Sequence, residues 1–291
     1  MKRTGIFFPH MQGERLRDFP QALEGIVGRK NVLYYDARCS HQDGIFLIPE
    51  ELLAEVHSKE MIEQVKQCRD FEGALCFEDA LWSASGTVQA TELILENRID
   101  NAFVFTRYGD HHAGRNLYGG GCYLNSAAIA IANARRKYGV NRFAIVDTDP
   151  HHGDGSWDLF EQDQDVLYIC FCVMAPKINQ NKNNNVEVCI PWNLKYQDYL
   201  TLVKSELDAI REYKPELIFW NFGYDGTQGD YGDIGISKGC HQKLAKMLKE
   251  TADETCDGRL VTVLCGGGKR RLATYIIPRI ISTLAEIKHK K

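Results

Sequence analysis

The sequence predicts an α/β fold in which a central, mostly parallel sheet is covered by helices on both faces. Seven short apolar runs, rich in β-branched and aromatic residues, recur between residues 5 and 265, a pattern typical of strands buried on both faces. Segments of helical periodicity separate these runs, and such alternation favours a parallel sheet. No Pro/Gly/Ser linker or change of composition divides the 291 residues, so residues 1–291 are expected to form a single domain of three layers.

The predicted strands are the apolar runs themselves, because they lack the polar alternation of a half-exposed strand. In chain order they are GIFFP at 5–9, NVLYY at 31–35, AFVFT at 102–106, FAIVD at 143–147, VLYICF at 166–171, LIFWNF at 217–222 and LVTVLC at 260–265. The predicted helices are the segments in which apolar residues recur three or four positions apart. In chain order they are 50–68, 81–96, 125–137, 196–213, 237–252 and 272–287. The polar segment NQNKNNN at 179–185 predicts a surface loop.

Composition and charge limit the classes of protein to which the chain can belong. Hydrophobic residues make up 44% of the chain and charged residues 25%, as in ordinary globular proteins, and the net charge of −4 gives no reason to expect nucleic acid or an acidic membrane as a partner. Ten cysteines without a C-x-x-C pair indicate reduced thiols. Neither a leader after Met1 nor an apolar run long enough to span a membrane is visible, so we expect a cytoplasmic protein.

A metal site is predicted at the carboxyl ends of two strands, where ligands bind in parallel sheets. The segment DTDPHHGDGSW follows FAIV, and its Asp149 and His151 are two residues apart, so in an extended backbone both side chains project to one side. A second segment, GYDGTQGDYGD, follows LIFWNF and offers Asp225 and Asp230. Asp149, His151 and Asp225 would give a catalytic Zn²⁺ site with open positions, and Mn²⁺ or Fe²⁺ would accept the same ligands.

Two adjacent histidines follow a third strand. The segment YGDHHAGRN comes after AFVFT and contains His111 and His112, which are candidates for metal binding or for proton transfer. The remaining carboxylates of the DTDPHHGDG segment, Asp147 and Asp154, are available to accept from the far ring nitrogens and so to set the tautomers.

The glycine-rich segment VTVLCGGGKRRLATY at 261–275 does not match a phosphate-binding loop. A P-loop requires a glycine five positions before Gly268 and Ser or Thr after Lys269, but Val263 and Arg270 stand there. The dinucleotide pattern G-x-G-x-x-G also fails. The role of this segment therefore has to be interpreted together with the rest of the chain.

Five motifs together resemble the histone deacetylase superfamily, the zinc amidohydrolases with the arginase/deacetylase fold. They are VHSKEMIEQVK, GDHHAGRN, GCYLNSAAIA, DTDPHHGDG and GYDGTQGD, in the order and context of that superfamily. The resemblance runs from about Glu14 to the last helix and implies one Zn²⁺ per chain.

The resemblance assigns a role to each candidate residue. It implies that Asp149, His151 and Asp225 bind Zn²⁺, and that His111 and His112, with Asp147 and Asp154 as their respective carboxylate partners, act as general base and acid. Gly120, Gly121, Cys122 and Gly267 are expected to line the substrate site. The resemblance also implies that the glycine-rich segment after the last strand forms a wall of the metal site, where its glycines allow the backbone to approach closely. The backbone around Asp147, Asp149 and His151 would resemble the family's monovalent-cation site, so K⁺ is a candidate structural ion, although Cys170 replaces the expected serine.

Two departures from the family pattern affect function. Gly121 replaces the phenylalanine that forms a narrow tunnel in many deacetylases, and the segment VMAPKINQ at 173–180 lacks an aromatic rim, so a bulky or branched substrate is expected. Lys269 occupies the place of the tyrosine that donates to the developing oxyanion. We hypothesise that Lys269 or Arg270 replaces that donor or binds a substrate anion; the alternative is that Lys269 points to solvent while Tyr231 or Tyr275 completes the site.

The predicted activity is zinc-dependent hydrolysis of an N-acyl amide, on a small N-acylated amine or on acyl-lysine of a protein. Two alternatives stay open. One is a metal-binding regulatory module without catalysis, and the other is an arginase-like ureohydrolase with two Mn²⁺ ions. The second is disfavoured because such sites need D-x-H-x-D, and Gly153 stands where the last carboxylate is required. A homo-oligomer is also possible.

Overall fold

A computed structural model describes residues 2–9, 13–37, 44–70, 73–173, 184–192 and 194–288. Its centre is one sheet of eight strands in the order β2-β1-β3-β8-β7-β4-β5-β6, and every neighbouring pair is parallel. The strands are β1 (Thr4–Phe8), β2 (Val32–Asp36), β3 (Asn101–Val104), β4 (Phe143–Asp147), β5 (Val166–Cys172), β6 (Asn185–Cys189), β7 (Leu217–Phe222) and β8 (Leu260–Leu264).

Helices cover both faces of the sheet. They are α1 (Glu50–Leu53), α2 (Lys59–Gln67), α3 (Cys76–Leu95), α4 (Ser126–Tyr138), α5 (Asp154–Phe160), α6 (Tyr196–Tyr213), α7 (Cys240–Thr255) and α8 (Arg270–Leu284), with short 3₁₀ turns at Glu14–Leu16 and Gln21–Leu23. Alternate residues of each strand enter opposite cores: Ile218 and Trp220 pack with α6, α7 and α8, whereas Leu217 and Phe219 pack with α3 and α4. The predicted three-layer α/β fold is therefore confirmed, and the sheet is wholly parallel.

The structure differs from the predicted elements at three places. The predicted helix 50–68 is two helices, because Ser58 begins a new helix by accepting a hydrogen bond from the Met61 amide. Strand β6 was missed because its sequence NVEVC is short and follows a polar segment; residues 179–183 of the predicted loop lie outside the described residues, and Asn185 begins the strand. Helix α5 was missed because its seven residues are too few for a clear period.

The topology gathers the predicted site at one edge. Since all strands are parallel, the segments after β3, β4, β7 and β8 leave the sheet on the same side, and these four strands lie together in its middle. Ligand sites of α/β sheets form at this carboxyl edge. In the described ranges, none of the helices combines the length and the apolar character needed to cross a membrane.

Buried His57 ties two of these segments together. Its Nδ1 lies 2.7 Å from the Gly114 carbonyl oxygen, and its Nε2 accepts from the Asn125 amide at 3.1 Å. Gly114 follows the tandem histidines, and Asn125 caps α4. The neutral ring satisfies both contacts, whereas a proton on Nε2 would face the Asn125 N–H. Burial accordingly lowers the pKa of His57 to about 4.

We expect acid to destabilise the fold through His57. The pKa of His57 is about 4 in the folded chain and about 6.5 in the unfolded chain, so the unfolded chain binds more protons below pH 6.5. The stability that neutral His57 contributes is therefore fully present above pH 6.5 and is lost as the pH falls toward 4. Between pH 7 and pH 5 the loss from this residue is about 2 kcal/mol. Urea unfolding at both pH values measures it. The variant His57→Gln should show a smaller pH dependence, and an unchanged dependence would contradict this assignment.

Candidate active site

Three potential metal ligands converge at the carboxyl ends of β4 and β7. The Nδ1 atom of His151 lies 2.8 Å from Asp149 Oδ1 and 3.0 Å from Asp225 Oδ2. Both carboxylates are buried, whereas His151 is partly exposed. One donor atom from each residue lies within 4.8 Å of the others, so the three side chains have the spacing of a metal site.

The surroundings of Asp225 fit a bound cation. Its side chain is fully buried, and no residue that the structure describes donates a hydrogen bond of good geometry to either carboxylate oxygen; the ion-pair contact is His151 Nδ1, 3.0 Å from Oδ2. A buried carboxylate without such partners is costly, and burial followed by the nearby Asp149 charge raises the pKa of Asp225 to about 6. A divalent ion at this position would supply the missing charge. Two carboxylates and one imidazole suit Zn²⁺ and leave open positions.

The glycines after β8 allow this cluster to form. A side chain at Gly266 would place its Cβ 2.3 Å from Asp149 Oδ2 and 2.5 Å from Asp225 Oδ2. The Gly266 amide instead donates to Asp149 Oδ2 at 2.9 Å. The loop is therefore a wall of the cluster, as the sequence predicts.

The tandem histidines are each paired with a carboxylate. His111 Nδ1 lies 2.8 Å from Asp147 Oδ2, and His112 Nδ1 lies 2.6 Å from Asp154 Oδ1. Their ring centroids are 4.1 Å apart. Because each Nδ1 faces a carboxylate, each ring is held in the tautomer that leaves Nε2 for chemistry.

The two pairs differ in environment. The His111–Asp147 pair is buried, and Tyr168 donates a further hydrogen bond of 2.8 Å to Asp147 Oδ2. Burial lowers the pKa of His111, but the carboxylates of Asp147 and Asp149 outweigh it and raise the pKa to about 10. His112 is partly exposed, and Asp154 is largely exposed at the start of α5. A monovalent cation beside Asp147 stays a prediction.

A cavity of about 380 Å³ opens above these residues. Its lining comprises Gly13, Arg15, Leu16, Arg107, Tyr108, Gly109, His111, His112, Gly120, Gly121, Cys122, Asp149, His151, Tyr231, Cys265 and Gly266. Gly120, Gly121 and Cys122 lie where the sequence predicts, but Gly266 rather than Gly267 reaches the cavity. Gly120 is required because a Cβ there would lie 2.4 Å from the His112 ring. At Gly121 no atom lies within 4 Å of such a Cβ, so this side of the mouth is wide.

Lys269 does not take part in this cavity in the way the sequence predicts. Lys269 is exposed and is not among the residues that line the cavity. Its backbone amide donates to Asp230 Oδ2 at 2.9 Å. Arg270 lies near Glu14 and Asp18, at 3.5 Å and 3.4 Å. Neither cation faces the metal cluster.

Tyr231 reaches the cavity instead. Its ring stacks on the His151 ring at a centroid distance of 5.9 Å, and its hydroxyl accepts from the Gly267 amide at 3.1 Å. The residue as a whole is 65% exposed, but its hydroxyl end lies against the Gly267 amide and the residue lines the cavity. Burial of that end, together with the carboxylates of Asp225 and Asp149, raises the pKa of Tyr231, and the phenol therefore keeps its proton. Tyr275 lies elsewhere, between Lys238 and Arg279.

Two further side chains, Asp230, which the sequence offered beside Asp225, and Arg15, contribute through long-range contacts. Asp230 accepts from the Gly268 and Lys269 amides and so satisfies the start of α8, a structural role. Arg15 lines the cavity and donates to the carbonyl oxygens of Cys265, Gly267 and Thr106 at 2.8, 3.0 and 2.8 Å. These contacts join segments far apart in the chain, so no motif could reveal them.

Comparisons with known proteins agree with the geometry. A family model described as "Histone deacetylase domain" matches residues 45–284. The chain is 27% identical to a probable deacetylase of Archaeoglobus fulgidus, with 91% of this chain and 81% of that protein covered. It is 29% identical to the polyamine deacetylase HDAC10 of Mus musculus; the aligned region comprises 81% of this chain but only 40% of that longer protein.

A bacterial relative and a solved structure extend this picture. The histone deacetylase-like amidohydrolase of Pseudomonas aeruginosa is 25% identical, with 82% of this chain and 69% of that protein covered. The crystal structure of the HDA15 HD domain superposes with a TM-score of 0.81 at 22% identity, over 99% of this chain and 90% of that one, and supports the fold. Because the family model matches most of its length, the chain belongs to the histone deacetylase family, whose relatives here are deacetylases and amidohydrolases.

Proposed function

We propose that the protein is a zinc-dependent amidohydrolase that removes the acyl group from an N-acylated amine. The observation that carries this proposal is the position of two His–carboxylate pairs beside the Asp149, His151 and Asp225 cluster, at the floor of one cavity. Hydrolysis of an amide needs a polarised carbonyl, an activated water and a group that protonates the leaving amine. The cavity floor has a candidate for each of these three tasks.

The metal would be held by Asp149, His151 and Asp225. When bound, Zn²⁺ lowers the pKa of a water and polarises a carbonyl. The other steps belong to side chains of this chain. One histidine accepts the proton of the attacking water and the other delivers a proton to the departing nitrogen. The raised pKa of His111 suits it to the proton-donating role, and Asp147 and Asp154 hold the two rings in place.

Tyr231 is our candidate for the oxyanion donor. A hydroxyl that lines the cavity, keeps its proton and is held by stacking on His151 can donate to an oxygen on which negative charge develops. Lys269 is placed less well because its side chain is exposed outside the lining. We therefore replace the Lys269 hypothesis with the alternative that the sequence left open.

The substrate is proposed to be a small N-acylated amine with a bulky or branched group, because Gly121 leaves the mouth wide. The mouse relative is named a polyamine deacetylase. Among the described residues that line the cavity, however, Asp149 is the only acidic one, and it faces the metal cluster. The described lining therefore offers no further carboxylate for a distant ammonium group, and we propose an amine without further positive charge.

Narrowing the mouth should change this selectivity. Gly121→Phe is expected to reduce kcat/KM for a branched N-acyl amide by at least about tenfold more than for a linear acetyl amide. Gly121 has φ +78°, where any side chain is strained by about 1–3 kcal/mol, so Gly121→Ala is the matched control for strain without bulk. Steady-state kinetics on both substrates measure the effect. Equal losses in both variants would show that the open mouth does not select the substrate.

Turnover separates this proposal from its alternatives. Hydrolysis of a panel of N-acyl amides, abolished by a chelator and by His112→Ala, is the expected result for the enzyme. Metal binding without turnover of any member would support a regulatory module. The arginase-like alternative lacks structural support, because a Cβ at Gly153 would lie 2.1 Å from the Tyr168 hydroxyl and leaves no space for a further carboxylate.

The compartment is proposed to be the cytoplasm. The nine cysteines among the described residues are all free thiols, which suits a reducing environment.

A further inference from the structure

A second cluster of metal-binding side chains lies on the sheet beside the active site. Cys170 and Cys172 are two residues apart on β5 and therefore project from the same face. Glu187 of β6 is the direct cross-strand partner of Cys170, so it shares that face. His152 reaches the same place from the loop after β4, where its ring contacts Trp157 at a centroid distance of 5.3 Å.

The donor atoms of His152, Cys170 and Cys172 have the spacing of ligands around one ion, and Glu187 contacts two of these three residues. His152 Nδ1 lies 3.7 Å from Cys172 Sγ and 2.9 Å from Glu187 Oε1, and Cys172 Sγ lies 3.6 Å from Glu187 Oε1. One donor atom each from His152, Cys170 and Cys172 lies within 4.8 Å of the others. A tetrahedral Zn²⁺ with Zn–S of about 2.3 Å and Zn–N of about 2.0 Å would hold S and N about 3.5 Å apart. The observed separations need little adjustment.

Burial and charge also favour an ion. Both cysteines are buried, and the side chains of His152 and Glu187 are 12% and 5% exposed. Among the described residues, no lysine or arginine lies within 4.0 Å of the Glu187 carboxylate, and His152 is its ion-pair partner. Two thiols, one imidazole and one buried carboxylate form a donor set that selects a thiophilic ion rather than Mg²⁺ or K⁺.

We propose that His152, Cys170, Cys172 and Glu187 bind a Zn²⁺ ion at a second, structural site. Both thiols lose their protons to solvent when the ion binds. The site is separate from the active site because His152 points toward β5 and β6, whereas the preceding His151 lines the cavity. His152, Cys170 and Cys172 supply three donors of suitable spacing, and Glu187, which contacts His152 and Cys172, is the proposed fourth ligand that would close the coordination sphere, as in structural zinc sites. The ion would fasten the edge strand β6 to the loop that carries Asp149 and His151.

Cobalt provides a test that does not depend on activity. The full chain is purified under reducing conditions, stripped of metal with a chelator and titrated with Co²⁺ without oxygen. We expect a near-ultraviolet sulfur-to-cobalt charge-transfer band that saturates, because thiolates bind the ion. The Asp149, His151 and Asp225 cluster contains no sulfur and cannot produce this band. The band should therefore persist in Asp225→Asn and disappear in both Cys170→Ser and Cys172→Ser.

Zinc content provides the second measurement, with Cys189→Ser as the matched control. Cys189 is the cross-strand partner of Cys172 but is exposed and outside the cluster. We expect two zinc ions per chain in the natural protein and in Cys189→Ser, and one in Cys172→Ser. If the cysteine variants do not fold, His152→Gln takes their place, because it removes a ligand of this cluster without changing any thiol; an undiminished cobalt band in that variant would contradict the proposal. A spectrum without a thiolate band, together with a single zinc that Asp225→Asn removes, would overturn the proposal.

This second ion also changes how metal content is interpreted. Two metals per chain would not by themselves indicate an arginase-like binuclear centre, because the cysteine variants would remove one ion and Asp225→Asn the other. Failure of the proposed activity would leave the cobalt band unaffected, so the two proposals can fail independently.

Discussion

Asp225→Asn is expected to lower kcat/KM by about 10³-fold and to remove the metal of the active site. Asparagine keeps the size of the side chain but lacks the charge that a divalent ion requires. Loss of the ion forfeits several kcal/mol of transition-state stabilisation, and about 4 kcal/mol corresponds to a factor of about 10³. Amide turnover and zinc content of the purified protein are the measurements.

The stability of Asp225→Asn makes the test sharper. In the metal-free chain the buried Asp225 carboxylate lies beside the Asp149 charge and has His151 as an ion-pair contact. Removing its charge relieves the desolvation and the repulsion while it loses that contact, so the free energy of unfolding should change little. Chelation should destabilise the natural protein through this site much more than the variant. Asp233→Asn, in the same loop, is the matched control, since within the part of the chain that the structure describes Asp233 accepts from the Gly229 and Gly235 amides and lies outside the metal cluster. A fully active Asp225→Asn protein would refute the metal assignment.

Tyr231→Phe is expected to reduce kcat by roughly 10²–10³-fold with little change in KM. The hydroxyl is proposed to donate mainly to charge that develops in the transition state, so its loss should affect the chemical step rather than substrate binding. Phenylalanine keeps the ring that stacks on His151, and the zinc content should stay unchanged. Single-turnover kinetics would separate the chemical step from product release.

Two controls distinguish Tyr231 from the other candidates. Lys269→Ala should be almost fully active because the Lys269 side chain is exposed outside the cavity lining. Tyr275→Phe should also be active because the Tyr275 ring lies between Lys238 and Arg279. The opposite pattern, an active Tyr231→Phe and an inactive Lys269→Ala, would restore the lysine as the oxyanion donor.

The fold was largely predictable because its signals are local. A strand buried on both faces needs an apolar run such as LIFWNF, and an amphipathic helix needs apolar residues at helical spacing, so both leave a pattern within a few residues. The two elements that were not predicted, β6 and α5, lack such a local pattern. Strand β6 has the sequence NVEVC, and its pairing with β5 provides what the local pattern does not. Helix α5 has only seven residues, too few to show helical periodicity in the sequence, and packing against its surroundings stabilises it.

The site was predictable where its members are close in sequence or share a strand end. Asp149 and His151 lie two positions apart after β4, and Asp225 follows the neighbouring strand β7, so the parallel sheet brings them together. The pairing of His111 with Asp147 spans two strand ends and could be expected from the resemblance to the family. Their chemical roles stay predictions until the variants are measured.

The sequence by itself therefore determined the strand and helix pattern, the donor residues at the strand ends and the family, because each depends on residue type and short-range order. Only the tertiary structure decided what completes the site. Arg15 reaches the loop at Gly267 across 252 positions, and Asp230 takes the amides of Gly268 and Lys269. Backbone amides of the segment CGGGKRR thus donate to two carboxylates of the same chain, those of Asp149 and Asp230. Tyr231 rather than Lys269 lines the cavity. Such contacts depend on side-chain direction and long-range packing, which leave no local pattern in a sequence.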